Sequence, residues 1–241
     1  MSYGLAIKTN DGLVFASDSR THGGVDQVSL YSKLHRFEVD DERVFVLLSA
    51  GNLSVTQSVV QRLNQERGKS VTRRGLFRSE TLFDAAEHVG YVSRKVQNNL
   101  LEQNEGKKFE ASFILGGQVV GDAPDLFLIY PEGNAIRVPE TNPFLQIGER
   151  KYGKPILDRF VRADTLLEDA ARCALLSLDS TIRSNLAVGP PVDLAVYRRD
   201  DLRLAHCVRY ESDSPFFMEL RESWSATVLQ GVRDLPRFDW E

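Results

Sequence analysis

The 241-residue sequence has only two cysteines, Cys173 and Cys207. Cys173 lies among small apolar residues that fit a helix, so we interpret it as a core thiol rather than half of a disulfide. Close metal-ligand spacing, as in His-x-x-x-His or a histidine beside a cysteine pair, is also missing around the four histidines, His22, His35, His88 and His206. We therefore expect no catalytic metal.

Long apolar runs, an excess of positive charge and nucleotide-binding motifs are missing as well. The longest apolar runs, 44–50 and 126–130, are far shorter than the ~20 residues of a membrane-spanning helix. Lys and Arg number 30 against 34 Asp and Glu, giving a net charge of -4, and the basic residues are scattered. No phosphate loop or dinucleotide fingerprint is present. We expect neither a membrane nor a nucleic acid as partner, and no cofactor.

The first residues, Met1-Ser2-Tyr3-Gly4-Leu5, lack the basic start and apolar stretch of a secretory signal. A cytoplasmic location is therefore expected. Removal of Met1 would then expose the amine of Ser2, because serine is among the small residues beyond which methionine is efficiently removed.

Strand-like and helix-like segments alternate along the rest of the chain. Strand patterns cover 3–9, 12–17, 34–39 and 44–49, and helical spacing follows over 55–63 and 82–100. Strands return at 111–115, 126–130 and 135–138, helices at 152–161 and 166–184, strands at 192–197 and 203–208, and a last amphipathic segment covers 215–235. This order predicts one α+β domain over 1–241, a four-layer α-β-β-α sandwich of two antiparallel sheets flanked by helices.

Ser2 is the first candidate catalytic residue. An α-amino group has an unperturbed pKa of about 7.7–8.0, so near neutral pH a useful fraction can accept a proton. An N-terminal serine therefore combines a hydroxyl nucleophile with its own base. Such a site further needs a positive charge, a carboxylate that fixes it, and backbone donors for the oxyanion.

The order of residues after Ser2 resembles that of the proteasome β-subunit family. That family has an N-terminal threonine, an acid at the end of the second strand, a lysine that opens the third, and an Ala-Gly turn before the first helix. The matching positions here are Ser2, Asp18, Lys33 and Gly51. The bacterial proteasome-like Anbu subgroup is the most similar, through Gly12-Leu-Val-Phe-Ala-Ser-Asp-Ser-Arg-Thr21, Ile147-Gly-Glu-Arg-Lys-Tyr-Gly-Lys-Pro-Ile-Leu-Asp-Arg159 and Ser184-Asn-Leu-Ala-Val-Gly-Pro-Pro191.

The resemblance implies a role for each of these residues. Ser2 would attack a peptide or other amide carbonyl, and Lys33, paired with Asp18, would lower the pKa of its neighbours. The amide of Gly51 would donate to the oxyanion. The family's later serine and acid are assigned to Ser184 and Asp179. Without the resemblance, Asp18 could equally be a turn residue or partner of Arg20, and Lys33 a surface charge.

Two departures from the family pattern keep other functions open. Serine lacks the methyl group that restricts χ1 in threonine, and an earlier family serine is absent from Gln146-Ile147-Gly148-Glu149. The chain could therefore be a structural or regulatory ring subunit with little turnover, or a ligand-binding module with an incidental Met-Ser start. The resemblance also implies a large homo-oligomer, either a ring or an open spiral, to which the apolar side of the segment 215–235 would contribute. It leaves any ATPase partner unknown.

Overall fold

The computed structural model describes residues 2–22, 28–67, 75–103 and 109–241. Its strands are β1 (Tyr3–Thr9), β2 (Gly12–Asp18), β3 (Arg20–His22), β4 (Val28–Leu30), β5 (Leu34–Val39), β6 (Arg43–Gly51), β7 (Ala111–Val119), β8 (Asp125–Ile129), β9 (Ala135–Arg137), β10 (Phe144–Gly148), β11 (Val192–Arg198) and β12 (Leu204–Tyr210). Its helices are α1 (Leu53–Gln65), α2 (Leu82–Gln103), α3 (Lys154–Phe160), α4 (Leu167–Ser184) and α5 (Pro215–Arg233).

Two five-stranded antiparallel sheets form the centre of the molecule. The first has the strand order β10-β1-β2-β11-β12 and the second the order β5-β6-β7-β8-β9, while β3 and β4 form a separate pair. Helices α3, α4 and α5 cover the first sheet, and α1 and α2 cover the second. The four-layer α-β-β-α sandwich predicted from the sequence is therefore the observed fold.

Three apolar layers hold the sandwich together. Between the sheets lie residues such as Ala6, Phe15, Leu48, Ile114 and Leu145. Alternate residues of the same strands face the helices: Leu5 and Ile7 under α4, and Phe45 and Leu47 under α1 and α2. Because the central strands are buried on both faces, their sequences are almost continuously apolar rather than alternating.

The structure contains three strands that the sequence patterns did not predict. β3 and β4 have three residues each, too few for a period-2 pattern to be recognised. β10 has five residues, Phe-Leu-Gln-Ile-Gly, and lies at the edge of the first sheet beside β1. This missed strand matters for the site, because it pairs with the strand that begins at Tyr3.

Several local predictions can be compared with the described residues. Thr81 precedes α2 and forms a capping box with Asp84: Thr81 Oγ1 accepts from the Asp84 amide at 3.1 Å, and an Asp84 carboxylate oxygen accepts from the Thr81 amide at 3.1 Å. Cys173 is half-buried against the core beneath α4, and both cysteines are free. Between α1 and α2, residues 76–78 form a 3₁₀ turn, and residues 68–74 lie outside the described residues. None of the described helices is both long and apolar enough for a bilayer.

Candidate active site

A cavity of ≈580 Å³ lies where the end of β6 and the start of α1 meet the segment before β5. Ser2, Lys33 and Gly51 all line it, so residues far apart in the chain meet at one concave surface. Its volume is within the range typical of small-ligand sites. The other lining residues are Thr21, Tyr31, Ser32, His35, Ser49, Ala50, Leu53, Thr56, Gln57, Val60, Gln61, Asn64 and Gln65.

Ser2 is held by its backbone on two sides. Its carbonyl oxygen accepts a hydrogen bond from the Glu149 amide at 2.8 Å, and the next amide, that of Tyr3, donates to Asp18 Oδ1 at 2.9 Å. Gly148 pairs with Tyr3 and has a positive φ of 77°. A Cβ on Gly148 would collide with the Ser2 carbonyl oxygen, so glycine is required for this close approach.

Asp18 and Lys33 form a buried ion pair beside this backbone. Lys33 Nζ lies 2.7 Å from Asp18 Oδ1, and the two side chains are 7% and 0% exposed. Lys33 Nζ also donates to the Arg20 carbonyl oxygen at 2.6 Å, while Asp18 Oδ2 accepts from the Gly189 amide at 3.4 Å. Lys33 is therefore a buried cation in a fixed position, not a surface charge.

Burial and pairing act in opposite directions on these two groups. Loss of hydration raises the pKa of the Asp18 carboxyl, and the charge and hydrogen bond of Lys33 oppose that rise. Loss of hydration lowers the pKa of Lys33, and Asp18 opposes that change. Lys33 thus lies at the cavity wall with a lowered pKa and a carboxylate that holds it in place. A lysine in such a position can take up and release protons, and its positive charge favours the deprotonated form of neighbouring groups.

Gly51 ends β6 and lies two residues before α1 begins. Its φ of 119° is in the region that favours glycine, and an added Cβ would collide with the Glu110 carbonyl oxygen. Asn52, the next residue, caps α1 by accepting from the amides of Ser54 and Val55. The strand-turn-helix thus presents the Gly51 backbone at the cavity.

The structure places Asp179 and Ser184 outside the lining of this cavity. The Asp179 carboxylate accepts from Arg183 at 2.9 Å and from Arg221 of α5 at 2.5 Å, so it joins α4 to α5. Ser184 is the exposed last residue of α4. Within the described part of the chain, no hydrogen bond or ion pair links the side chain of Asp179 or Ser184 to Ser2.

Other residues support the backbone around Ser2 in ways that sequence reasoning did not find. Tyr3 is fully buried, and its hydroxyl accepts from Gln146 Nε2 at 2.6 Å and lies 2.6 Å from Ser177 Oγ. Ser177 in turn donates to the Gly153 carbonyl oxygen at 3.0 Å. Burial raises the pKa of Tyr3 to about 12, so the phenol stays neutral. The only signal in the sequence was that Tyr3 directly follows Ser2.

Glu149, whose role the sequence left open, is also buried beside Ser2. Its amide contacts the Ser2 carbonyl oxygen, and its carboxylate accepts from the Lys151 amide at 3.2 Å and from Asn185 Nδ2 at 3.0 Å. Asn185 belongs to the segment that leads from α4 to Gly189, whose amide reaches Asp18. Glu149 therefore connects the backbone at Ser2 with this segment.

The cavity itself carries little charge. Among the described lining residues Lys33 is the only Lys, Arg, Asp or Glu, and most of the others carry hydroxyl or amide groups. Burial lowers the pKa of His35 to about 4, against the opposing charge of Asp193, so His35 is neutral near pH 7. No group of three or more His, Cys, Asp or Glu residues in the described part of the chain is placed to hold a metal.

Known proteins resemble this chain over most of its length. The proteasome subunit family model matches residues 3–197. Solved Anbu structures superpose over nearly the whole chain: a variant from Hyphomicrobium sp. strain MC1 has 44% identity and a TM-score of 0.92, covering 99% of this chain and 100% of that one. Anbu from Yersinia bercovieri, described as an ancestral β-subunit, has 41% identity and a TM-score of 0.92, with 98% of each chain covered.

Two further relatives extend the comparison. A structure described as the helical assembly of the Anbu complex from Pseudomonas aeruginosa has 44% identity and a TM-score of 0.91, with 98% of each chain covered. Proteasome subunit beta 2 of Nitrosopumilus maritimus strain SCM1 is 24% identical over 208 residues, which are 83% of this chain and 87% of that protein. The chain therefore belongs to the proteasome subunit family and is similar to the Anbu proteins within it.

Proposed function

We propose that the chain is an N-terminal-nucleophile amidohydrolase in which Ser2, freed of Met1, attacks a peptide or other amide carbonyl. Met1 lies outside the described residues, so the proposal rests on the surroundings of Ser2. The observation that carries it is the buried Asp18–Lys33 ion pair at a cavity shared by Ser2 and Gly51. A fixed cation, a nucleophile and a backbone donor are the parts that acyl transfer requires.

Each residue has a defined role in the proposed reaction. Ser2 Oγ forms a bond to the carbonyl carbon while its proton passes to the Ser2 α-amine, and the oxyanion accepts from the Gly51 amide. The protonated amine then gives its proton to the leaving nitrogen as the C–N bond breaks. Water releases the acid from the Ser2 ester by the same steps. Lys33, oriented by Asp18, disfavours extra protons on the amine and hydroxyl.

The contacts of Asp179 and Ser184 support no chemical step for either residue. Asp179 binds two arginines and Ser184 faces solvent, so the proposal relies on Ser2, Asp18, Lys33 and Gly51. The absence of a β-methyl on Ser2 leaves χ1 less restricted than in threonine. The backbone clamp from Glu149 and Asp18 would compensate in part, because it fixes the Cα position.

Mass spectrometry of the N-terminal peptide, before and after treatment with a β-lactone, tests the proposal. The purified chain should lack Met1, and Ser2 should gain the mass of the acyl group. Ser2→Ala should abolish labelling, whereas Ser58→Ala, on α1 and outside the cavity lining, should preserve it. Retained Met1, or labelling that persists in Ser2→Ala, would rule out the mechanism.

We further propose that the chain assembles with copies of itself in the cytoplasm. The solved relative from Pseudomonas aeruginosa is described as a helical assembly, and α5 with the residues after it exposes Phe216, Val232 and Trp240. Apolar surface of this kind is typical of protein contacts. Light scattering should give a mass several times that of one chain, and fractionation should recover it from the cytosol.

A second function is favoured by one observation. The segment 146–149 supplies no serine, and the Glu149 carboxylate there is engaged by Lys151 and Asn185. The chain could then serve as an assembling subunit with little turnover. In that case Met1 would be removed but no amide substrate or acylating probe would react, and Lys33→Ala would change no measured property other than stability.

A further inference from the structure

One wall of the cavity is a face of α1 that carries amide side chains. Gln57, Gln61, Asn64 and Gln65 all line the cavity, and their spacing places them on one side of the helix. The opposite side of α1 is buried in the core through residues such as Val59 and Leu63.

These amide groups are available to a ligand. Gln57, Gln61 and Gln65 are exposed to the cavity, and none of their side-chain amides has a hydrogen-bond partner among the residues that the structure describes. Each carboxamide offers two N–H donors and one C=O acceptor. A peptide group also offers one donor and one acceptor, so the two are complementary without any charge.

The spacing along α1 matches that of an extended peptide. Residues four apart on a helix are separated by about 6 Å along its axis, and residues two apart in an extended chain by about 6.6 Å. The side chains of Gln57, Gln61 and Gln65 therefore recur at nearly the same interval as every second residue of an extended peptide. From Gln57 to Gln65 the row covers about 12 Å, or roughly four extended residues.

The row also begins at the proposed site of reaction. α1 starts two residues after Gly51, so Gln57 is the member of the row nearest to the proposed oxyanion donor and Gln65 the farthest. A chain whose scissile carbonyl lies at Gly51 would therefore be able to continue along this wall.

We propose that the row formed by Gln57, Gln61 and Gln65 binds the main chain of an extended, peptide-like polyamide. The position of the scissile bond rests on the proposed function, whereas binding along α1 does not. Recognition through main-chain groups would tolerate many side chains, and the uncharged wall would not select for acidic or basic ones.

A binding assay tests this without requiring turnover. In a Ser2→Ala background, hexaalanine amide carrying fluorescein on its N-terminal amine is titrated and its anisotropy measured. Gln61→Met keeps the side-chain length but removes the hydrogen-bonding groups, and should weaken binding about fivefold. The control Arg62→Met changes the next residue of the same helix, which is exposed but outside the cavity lining, and should bind like the parent.

A second peptide, N-methylated at alternate amides, makes the test specific to the main chain. It should bind the parent about fivefold more weakly than the unmodified peptide, and this difference should be smaller in Gln61→Met, which keeps only Gln57 and Gln65 of the row. The proposal would be overturned by unchanged peptide affinity in Gln61→Met or by an equal loss of affinity in Arg62→Met. A changed sedimentation coefficient in Gln61→Met would also overturn it, because it would show that this face of α1 contacts another copy of the chain.

The two proposals can fail separately. If a β-lactone does not label Ser2 but Gln61→Met still loses peptide affinity, the row binds polyamides and the assignment of Ser2 as the nucleophile is wrong. If Ser2 is labelled and both peptides bind Gln61→Met as they bind the parent, Ser2 is the nucleophile and the proposed role of the glutamine row in peptide binding is wrong.

Discussion

The buried Asp18–Lys33 pair supports the most direct prediction about this protein. Lys33→Met keeps most of the side-chain volume but removes the cation 2.7 Å from Asp18 Oδ1. Asp18, with no exposed side-chain surface, then has no ion-pair partner among the residues that the structure describes. Breaking a buried pair by removing one partner typically costs about 3–5 kcal/mol.

The structure places the expected loss near the lower end of that range. Asp18 keeps the amide of Tyr3 at 2.9 Å and that of Gly189 at 3.4 Å, and both stabilise the carboxylate. We therefore expect the free energy of unfolding to fall by about 3 kcal/mol near pH 7. The double variant Asp18→Asn/Lys33→Met removes both charges and should lose only about 1 kcal/mol, since replacing both partners avoids an unpaired buried charge.

Urea denaturation at several pH values measures this, with β-lactone labelling of Ser2 as the functional readout. A carboxyl whose pKa is raised in the folded state binds extra protons there, so its penalty grows as pH rises above the ordinary aspartate value of 3.8 and disappears below it. The deficit of Lys33→Met should therefore shrink as pH falls towards 3.8. Labelling should be slowed in both the single and the double variant, because both lack the cation.

Three results would refute this reasoning. The first is a loss below about 1 kcal/mol in Lys33→Met, which would mean that Asp18 is solvated or already protonated. The second is a double variant less stable than Lys33→Met. The third is labelling at the parental rate in both variants, which would show that the Asp18–Lys33 ion pair does not affect the reactivity of Ser2.

Other predictions concern groups around the same cavity. Burial lowers the pKa of His35 from 6.5 to about 4, so between pH 7 and 5 the proton binds to the unfolded chain and not to the folded one. The free energy of unfolding should therefore fall by about 2 kcal/mol over this range. Urea denaturation should show a smaller fall in His35→Gln and an unchanged fall in the control His206→Gln. Gly51→Ala, which would collide with Glu110, should slow labelling of Ser2 at least tenfold in a mass-spectrometric time course; unchanged labelling would exclude this turn from the site. Tyr3→Phe leaves Gln146 and Ser177 without the hydroxyl and should lower thermal stability by about 1–3 kcal/mol in calorimetry; no change would mean that the network is dispensable.

The sequence determined the order of the elements because local spacing is sufficient for long segments. The periodicity of α2 and α4, the turn at 10–12 and the apolar strands on either side of it were each readable within a short window. That order predicted the fold class, and the resemblance to the proteasome family, carried by motifs with Ser2, Asp18 and Lys33, indicated the candidate site. Short elements such as β10 gave no such signal, since five residues at a sheet edge do not establish a period.

Only the tertiary structure decided which residues share a surface. Asp179 and Ser184 were assigned by resemblance along the chain, but α4 directs Asp179 to Arg183 and Arg221, and the geometry connects Glu149 with Ser2 instead. The row on α1 acquired a possible role only when the helix was seen to line the cavity. The physical reason is that hydrogen bonds and ion pairs act over about 3 Å in space, whereas Asp179 and Arg221 are 42 positions apart in the chain and Ser2 and Glu149 are still farther apart.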